Sequence, residues 1–281
     1  MLMRVSEFRK YDDEELKHLH EIELMILKDV VKILNEHNLK YYMYGGSLLG
    51  TIRHNGFIPW DDDIDIILFR DDFDKALDIL NNELPDKYDL VHMNYIEDCF
   101  GSFAKVSLKN TIFSRWYTFY TDFDLGIHID LFPLDNVPNN DFLGKLHHHG
   151  YTFCYQFVIN SCIKFDMYTK FRTKLHNIVY DILNFIPINK KIWKKLLTKE
   201  MTFFSYKKTE RVTDCFNLAG YMAYQRNDFE PAIKARFEDF EVRIPKNYDK
   251  ILTQIYGDYM KIPPKEKRYN TAPEILDFGK Y

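Results

Sequence analysis

Residues 44–65 read YGGSLLGTIRHNGFIPWDDDID: a glycine turn, a serine, two basic side chains and four aspartates in one short span. Asp61, Asp62, Asp63 and Asp65 follow Pro59-Trp60 and run into the apolar Ile66-Ile67-Leu68. A carboxylate taken out of water is costly unless a positive charge compensates it. Side chains two apart in a strand share a face, so Asp63 and Asp65 stand together. Asp61 joins them if the strand begins that early, while Asp62 points the other way and reads as structural. A divalent cation is the simplest account of such a pair, and the glycine turn upstream suggests that the cation holds a phosphate.

Outward from this stretch, residues 40–44 are β-prone and stop at Gly45-Gly46, and residues 47–53 predict one or two helical turns before the His54-Asn55-Gly56 turn signal. A helix opening after a strand aims N–H groups and the positive end of its dipole at an anion. Gly45 and Gly46 allow close approach, and the Ser47 hydroxyl adds a donor. By itself Gly-Gly-Ser is equally an ordinary turn; its place before the aspartates gives it weight. A strand is expected over 63–69, a helix from Asp71-Asp72 to Asn82, and further strands over 88–93, 103–108 and 127–131, with Pro133 closing the last. Upstream, Asp12 caps an amphipathic helix that carries Leu16, Leu19, Ile22, Ile26, Val30, Ile33 and Leu34 and ends near Asn38. The chain therefore reads as α+β, a mixed β-sheet core with flanking helices and a helical insert.

Asp130, in the apolar run Ile127 to Phe132, completes a set of three strand-borne carboxylates with Asp63 and Asp65. Hard oxygen ligands of this kind suit Mg²⁺ or Mn²⁺, and carboxylates converging on one or two ions are the arrangement used for phosphoryl transfer. Asp61 is a further ligand or a support for one. The Arg53 fork matches phosphate oxygens better than His54 does. Lys105, in the strand-like 103–107, reads either as a charge clamp on phosphate or as an edge lysine that blocks aggregation. Trp60 and Trp116, with Tyr117 and Tyr120, offer aromatic faces for a quaternary ammonium or for the core. His147-His148-His149 reads as a solvated helix segment, because adjacent helical residues do not converge on one ion.

At 281 residues, with 46% hydrophobic and 28% charged content, the chain is that of a soluble globular protein. No apolar run reaches the length of a spanning helix, the N-terminus is too polar for a secretory signal, and the 4 cysteines form no CxxC pair. A cytoplasmic setting is expected. The net charge of −4 hides an asymmetry, because residues 164–211 carry 12 Lys and Arg against 4 Asp and Glu. Within them Lys190, Lys191, Lys194, Lys195 and Lys199 interleave with Ile188, Ile192, Trp193, Leu196 and Leu197. Such a helix lies on an anionic membrane or packs on the core with a lysine-coated outside. The expected organisation is a core over 1–138, a basic, aromatic-rich helical region over 139–212, and a C-terminal segment over 213–281 that completes the catalytic domain.

GGSLLGTIRHNGFIPWDDDIDI followed by HIDLFPLDNVP resembles the LicD family of bacterial phosphocholine transferases, related to the fukutin group, and IPKNYDKILTQIYGDYMKIPPKEKR is similar to that family's C-terminal signature. The resemblance implies a nucleotidyltransferase-like fold whose Gly-Ser, D-x-D and third acid fall on Gly46-Ser47, Asp63/Asp65 and Asp130. It implies transfer of phosphocholine from CDP-choline to a sugar hydroxyl of a cell-surface glycan (such as lipopolysaccharide) or teichoic acid precursor, with CMP leaving. The partners it implies are a CDP-activated donor and a glycan acceptor, lipid-linked in one form, with no nucleic acid; the basic helix adds the expectation of peripheral contact with the inner membrane face. Phosphoethanolamine, glycerol phosphate or ribitol phosphate as cargo, and nucleotidyl transfer from a nucleoside triphosphate, are the rival activities.

Overall fold

The structure is a computed structural model that describes residues 9–115, 118, 123–163, 177–182, 190–215, 220–268, 270 and 272–281. Helix α1 (Asp13–Glu36) starts where Asp12 accepts from the Glu15 N–H at 2.7 Å, and its apolar stripe of Leu19, Ile22, Ile26, Leu27, Val30 and Leu34 is buried. Strand β1 (Tyr42–Met43) leads into α2 (Gly45–His54), which Asn55 closes in the left-handed conformation. Strand β2 (Asp65–Phe69) runs directly into α3 (Arg70–Glu83). Then come β3 (Tyr88–Val91), β4 (Ala104–Leu108), β5 (Ile112–Ser114) and β6 (His128–Val137). The helical region holds α4 (Asp141–Cys162) and α5 (Lys190–Met201). The chain returns through β7 (Arg211–Thr213), β8 (Tyr224–Gln225), the hairpin of β9 (Ile233–Phe237) and β10 (Phe240–Ile244), α6 (Tyr248–Tyr256) and β11 (Ile275–Asp277).

The central sheet has the order β1-β2-β6-β4-β3, with β7 beside the far half of β6 and β8 beside β7. Among the described strands only β2 and β6 are parallel, in a register that sets Asp65 beside Asp130; on the other side of β6, Lys105 of β4 is registered with the same Asp130. One row across three strands is therefore Asp65, Asp130, Lys105. The α3 start is locked to β6 by a buried fork: Arg70 Nε and Nη2 donate to the two carboxylate oxygens of Asp135, each at 2.7 Å. This pair fixes the crossover that keeps β2 abreast of β6.

Two expectations are corrected here. Pro133 does not close the strand, since β6 runs on to Val137. Asp130 donates its N–H toward β2, to the Ile64 carbonyl at 2.8 Å. By alternation, the nitrogen of Pro133 faces the opposite side. There β4 pairing has stopped at Leu131 and β7 pairing starts only at Asp135, so no ladder bond is lost. The second correction concerns the histidine triplet, which is not a solvated segment. His147 and His148 are buried, and His147 Nε2 donates to the Glu200 carbonyl at 2.6 Å, joining α4 to α5.

The main core gathers α1, α3 and the sheet with residues from later in the chain such as Val212, Tyr224, Phe237 and Ile251. A second cluster joins α4 and α5 through Tyr151, Tyr155, Val158, Leu197 and Met201 to Val91, Met93 and Cys99. Among the described residues no helix is long and apolar enough to cross a membrane.

Candidate functional site

Helix α2 starts with Gly45 at φ +54°, a left-handed conformation that favours glycine. A Cβ at Gly46 would collide with the Asp61 carboxylate, and one at Gly45 would meet Asp65 Oδ2 at 3.0 Å. The two glycines thus let carboxylates close against the N-terminal turn of the helix, where the unpaired N–H groups and the dipole favour negative charge. Ser47 is turned inward. Its Oγ accepts from the Asp65 N–H at 2.8 Å and donates to the Asp63 carbonyl at 3.5 Å, so it pins the acidic strand to α2.

A cleft of about 540 Å³ opens over this junction, lined by Gly45, Gly46, Arg53, Trp60, Asp61, Asp63, Asp65, Tyr256, Tyr259, Lys261 and Asn270, among others. One carboxylate oxygen from each of Asp61, Asp62 and Asp63 falls within 4.8 Å of the others. The regular strand begins only at Asp65, so Asp61 and Asp63 reach the cleft from an irregular lead-in rather than from one strand face. Asp62 is buried behind them, held by the Tyr11 hydroxyl at 2.7 Å, Arg115 Nη2 at 2.8 Å and Asn270 Nδ2 at 2.7 Å. Asn270 also donates to Asp61 at 2.8 Å.

The electrostatics are those of crowded acids. Burial and the Asp62 charge push the Asp61 carboxyl up to about 6. Burial, then the neighbouring aspartates, raise Asp63 and Asp65 well above the usual carboxylate range, with Lys105 opposing. Asp63 lines the cleft and is exposed to solvent there. Neither Asp63 nor Asp65 has a side-chain hydrogen bond or ion pair among the described residues. Asp130 differs: Lys105 Nζ donates to both its oxygens, at 2.6 and 2.8 Å, and to His128 Nε2 at 3.0 Å. His128 donates its Nδ1–H to the Gly126 carbonyl, and burial beside Lys105 lowers it to about 4. Lys105 therefore sits inside the sheet between β6 and β3, and the edge-lysine reading is corrected.

Of the other residues singled out in the sequence, Arg53 lines the cleft but donates Nη1 to the Tyr259 carbonyl at 2.7 Å. His54 stands edge-on to Trp60, with ring centroids 6.0 Å apart, and is not among the cleft residues. Trp60 carries the Arg268 guanidinium over its ring at 5.6 Å. Trp116 lies outside the described residues, as do Tyr117 and Tyr120.

Sequence reading missed several residues. Tyr256, Tyr259 and Lys261 come from the C-terminal signature, and Asn270 from just beyond it. Their signal was the density of aromatic and basic residues there, which no spacing rule ties to residues 200 positions earlier. Glu23 is the other. It lies on the buried stripe of α1, its Oε2 has no hydrogen-bond partner among the described residues, and burial together with Asp63, Asp62, Asp61 and Asp130 pushes its carboxyl well up.

A mixed α/β protein whose glycine-opened helix meets the carboxylates of Asp61, Asp63 and Asp65 in one polar cleft, with Asp130 registered beside Asp65, has the equipment to hold a phosphate through a cation. Residues 38–158 match the family model described as LicD/FKTN/FKRP, nucleotidyltransferase domain. That segment carries the chain's likeness to the LicD family. It is 29% identical over 254 residues to the lipopolysaccharide cholinephosphotransferase LicD of Haemophilus influenzae, covering 86% of this chain and 90% of that one. It is also 27% identical over 116 residues to the human ribitol 5-phosphate transferase FKRP, covering 41% of this chain and 20% of that one.

Proposed function

We propose that this protein is a metal-dependent phosphotransferase that moves phosphocholine from CDP-choline to a sugar hydroxyl of a lipopolysaccharide or teichoic acid precursor at the cytoplasmic face, releasing CMP. The observation that carries the reading is the placement of Asp65 abreast of Asp130, with Asp61 and Asp63 in the same cleft beneath Gly45 and Gly46. The relative that spans most of the chain, named a lipopolysaccharide cholinephosphotransferase, supports the cargo. The fold reading that goes with it is a nucleotidyltransferase-like core formed by 1–138 and 213–281, with 139–212 as the helical insert. Its support is that β7 and β8 extend the sheet from β6 and that Asn270 reaches the acids.

The donor set fits Mg²⁺ or Mn²⁺: hard carboxylate oxygens, crowded, raised by burial, and without a protein cation on Asp63 or Asp65. Asp63 and Asp65, with Asp61 and Asp130, would hold the ion, whose chemistry is to neutralise phosphate oxygens and ease departure of the leaving group. The remaining work falls to the chain. The N–H groups at Gly45 and Gly46 face the diphosphate, and Arg53 and Lys261 line the same opening. Trp60, Tyr256 and Tyr259 give the cleft aromatic faces that suit a quaternary ammonium. The acceptor oxygen bonds to the choline-bearing phosphorus as the bridging P–O bond breaks, and that electron pair leaves with CMP. The acceptor proton passes to a carboxylate, Asp130 in this reading, which Lys105 holds in place.

The relative named a ribitol 5-phosphate transferase favours one second reading, the same displacement with CDP-ribitol as donor. Thermal shifts with CDP-choline, CDP-ethanolamine, CDP-glycerol and CDP-ribitol, each with and without Mg²⁺, separate the two, because the true donor stabilises the native state by mass action. A shift with CDP-ribitol and none with CDP-choline would replace the first reading with the second.

A further inference from the structure

The second hydrophobic cluster is roofed by α4 and α5, and what those helices turn away from it is apolar and basic. At 100° per residue, Phe142, Leu146 and Phe153 of α4 fall within about 40° of one another, and all three are exposed, Phe142 by 74% and Phe153 by 65%. On α5, Ile192 and Leu196 stand exposed opposite the inward-facing Lys194, Leu197 and Met201. Both helices bury their other sides in the same cluster, so the exposed sides form one outer face, bridged where Phe157 stacks on Trp193 at 4.7 Å. Lys145 of α4 and Lys195 and Lys199 of α5 flank the apolar residues.

Among the described residues of these helices, the outward face carries no unpaired acid. Asp141 pairs with Arg211 at the start of α4, and Glu200 is turned against Gly150 at the α4–α5 contact. Beside the apolar stripe lies a cleft of about 610 Å³ between α5 and the loop at 93–97, with Lys191, Lys194, Lys195 and Lys199 set against one acid, Glu97. Lys194 is spent on structure, donating to the carbonyls of Met93, Ile96 and Glu97 at 3.2, 2.8 and 2.6 Å, which fixes the helix to the loop. Lys195 and Lys199 are exposed and have no acidic partner among the described residues.

We propose that the outer face of α4 and α5 docks on an anionic phospholipid bilayer, with Phe142, Leu146, Phe153, Ile192 and Leu196 entering the interface and the lysine-lined cleft taking a headgroup phosphate. Lysine is depleted from the cores of protein–protein interfaces, whereas exposed Phe and Leu flanked by lysine, without acids, is the composition of interfacial helices. This inference is independent of the transferase reading, and its test needs no turnover.

The full chain is sedimented with phosphatidylcholine vesicles and with vesicles that also contain phosphatidylglycerol, at low and high salt. The expected result is capture by the anionic vesicles alone. Lys195→Gln with Lys199→Gln should weaken capture by about thirtyfold, since each lysine near an anionic surface contributes about fivefold. Phe142→Ser with Phe153→Ser should remove the part of the binding that survives salt, and both double variants should melt with the wild type. Wild-type protein left in the supernatant with anionic vesicles at low salt would overturn the proposal. So would variants captured like the wild type, or a dimer in sedimentation that Phe153→Ser dissolves, which would make the face a contact between copies of this chain.

Discussion

Replacing Asp65 by Asn is expected to raise the stability of the metal-free protein while removing its response to Mg²⁺. Neighbouring strands lie about 4.8 Å apart, and the register sets the Asp65 carboxylate beside that of Asp130. Two unit charges about 5 Å apart repel by roughly 3 kcal/mol at an effective dielectric constant of about 20. Lys105, bonded to both oxygens of Asp130, cancels part of this, which leaves about 1–2 kcal/mol to be gained near pH 8. For a chain of this size that is a rise in Tm of roughly 2–4 °C. Asn keeps the shape against Gly45 but offers the cation a neutral oxygen. The wild type should gain about 2.7 kcal/mol from a ligand at about 100 times its Kd, and the variant little. Thermal melts of both proteins with and without Mg²⁺ read the two effects together. A variant that melts lower without metal yet keeps the full Mg²⁺ increment would refute the reasoning, because Asp65 would then be a structural residue.

Three further outcomes follow from the same geometry. Because Asp61 is raised to about 6 in the folded chain, its contribution to stability is present below its unfolded value and is lost as pH rises through about 6. Melts of the metal-free protein should therefore show more stability near pH 5 than near pH 7 from this group, and titration calorimetry should show Mg²⁺ affinity rising over the same interval. Gly46→Ala places a methyl against the Asp61 carboxylate and should cut turnover by at least about tenfold with little loss of helix content by circular dichroism. Arg70→Met strands the buried Asp135 carboxylate, at a cost of about 3–5 kcal/mol, while Arg70→Met with Asp135→Leu should recover most of it in urea unfolding.

The elements that sequence made legible are those with a strong period or a strong cap. Helix α1 follows from Asp12 and its apolar stripe, and α2 and β2 from the glycine turn and the run after Asp65. What stayed hidden depends on neighbours distant in the chain. Pro133 looks like a terminator until β4 and β7 are seen to leave its position unpaired. Lys105 reads as phosphate clamp or edge guard until register places it on Asp130. Ser47 reads as a donor to phosphate until the fold turns its hydroxyl onto the strand that carries the acids. The grouping of the acids was visible, but the surfaces that face them were not: Tyr256, Lys261 and Asn270 are brought back by the C-terminal segment. Glu23 was hidden for the opposite reason. It occupies a core position of an apolar stripe, where a carboxylate gives no local signal of what lies across from it.

The most direct test supplies the purified protein with CDP-choline labelled in the choline and in the cytidine, a glycan acceptor fraction, and Mg²⁺ or a chelator. The account predicts label from choline in the glycan, an equal amount of CMP, and neither product with chelator or with Asp65→Asn. Pyrophosphate release from a nucleoside triphosphate, or choline transfer that persists in the chelator, would contradict it.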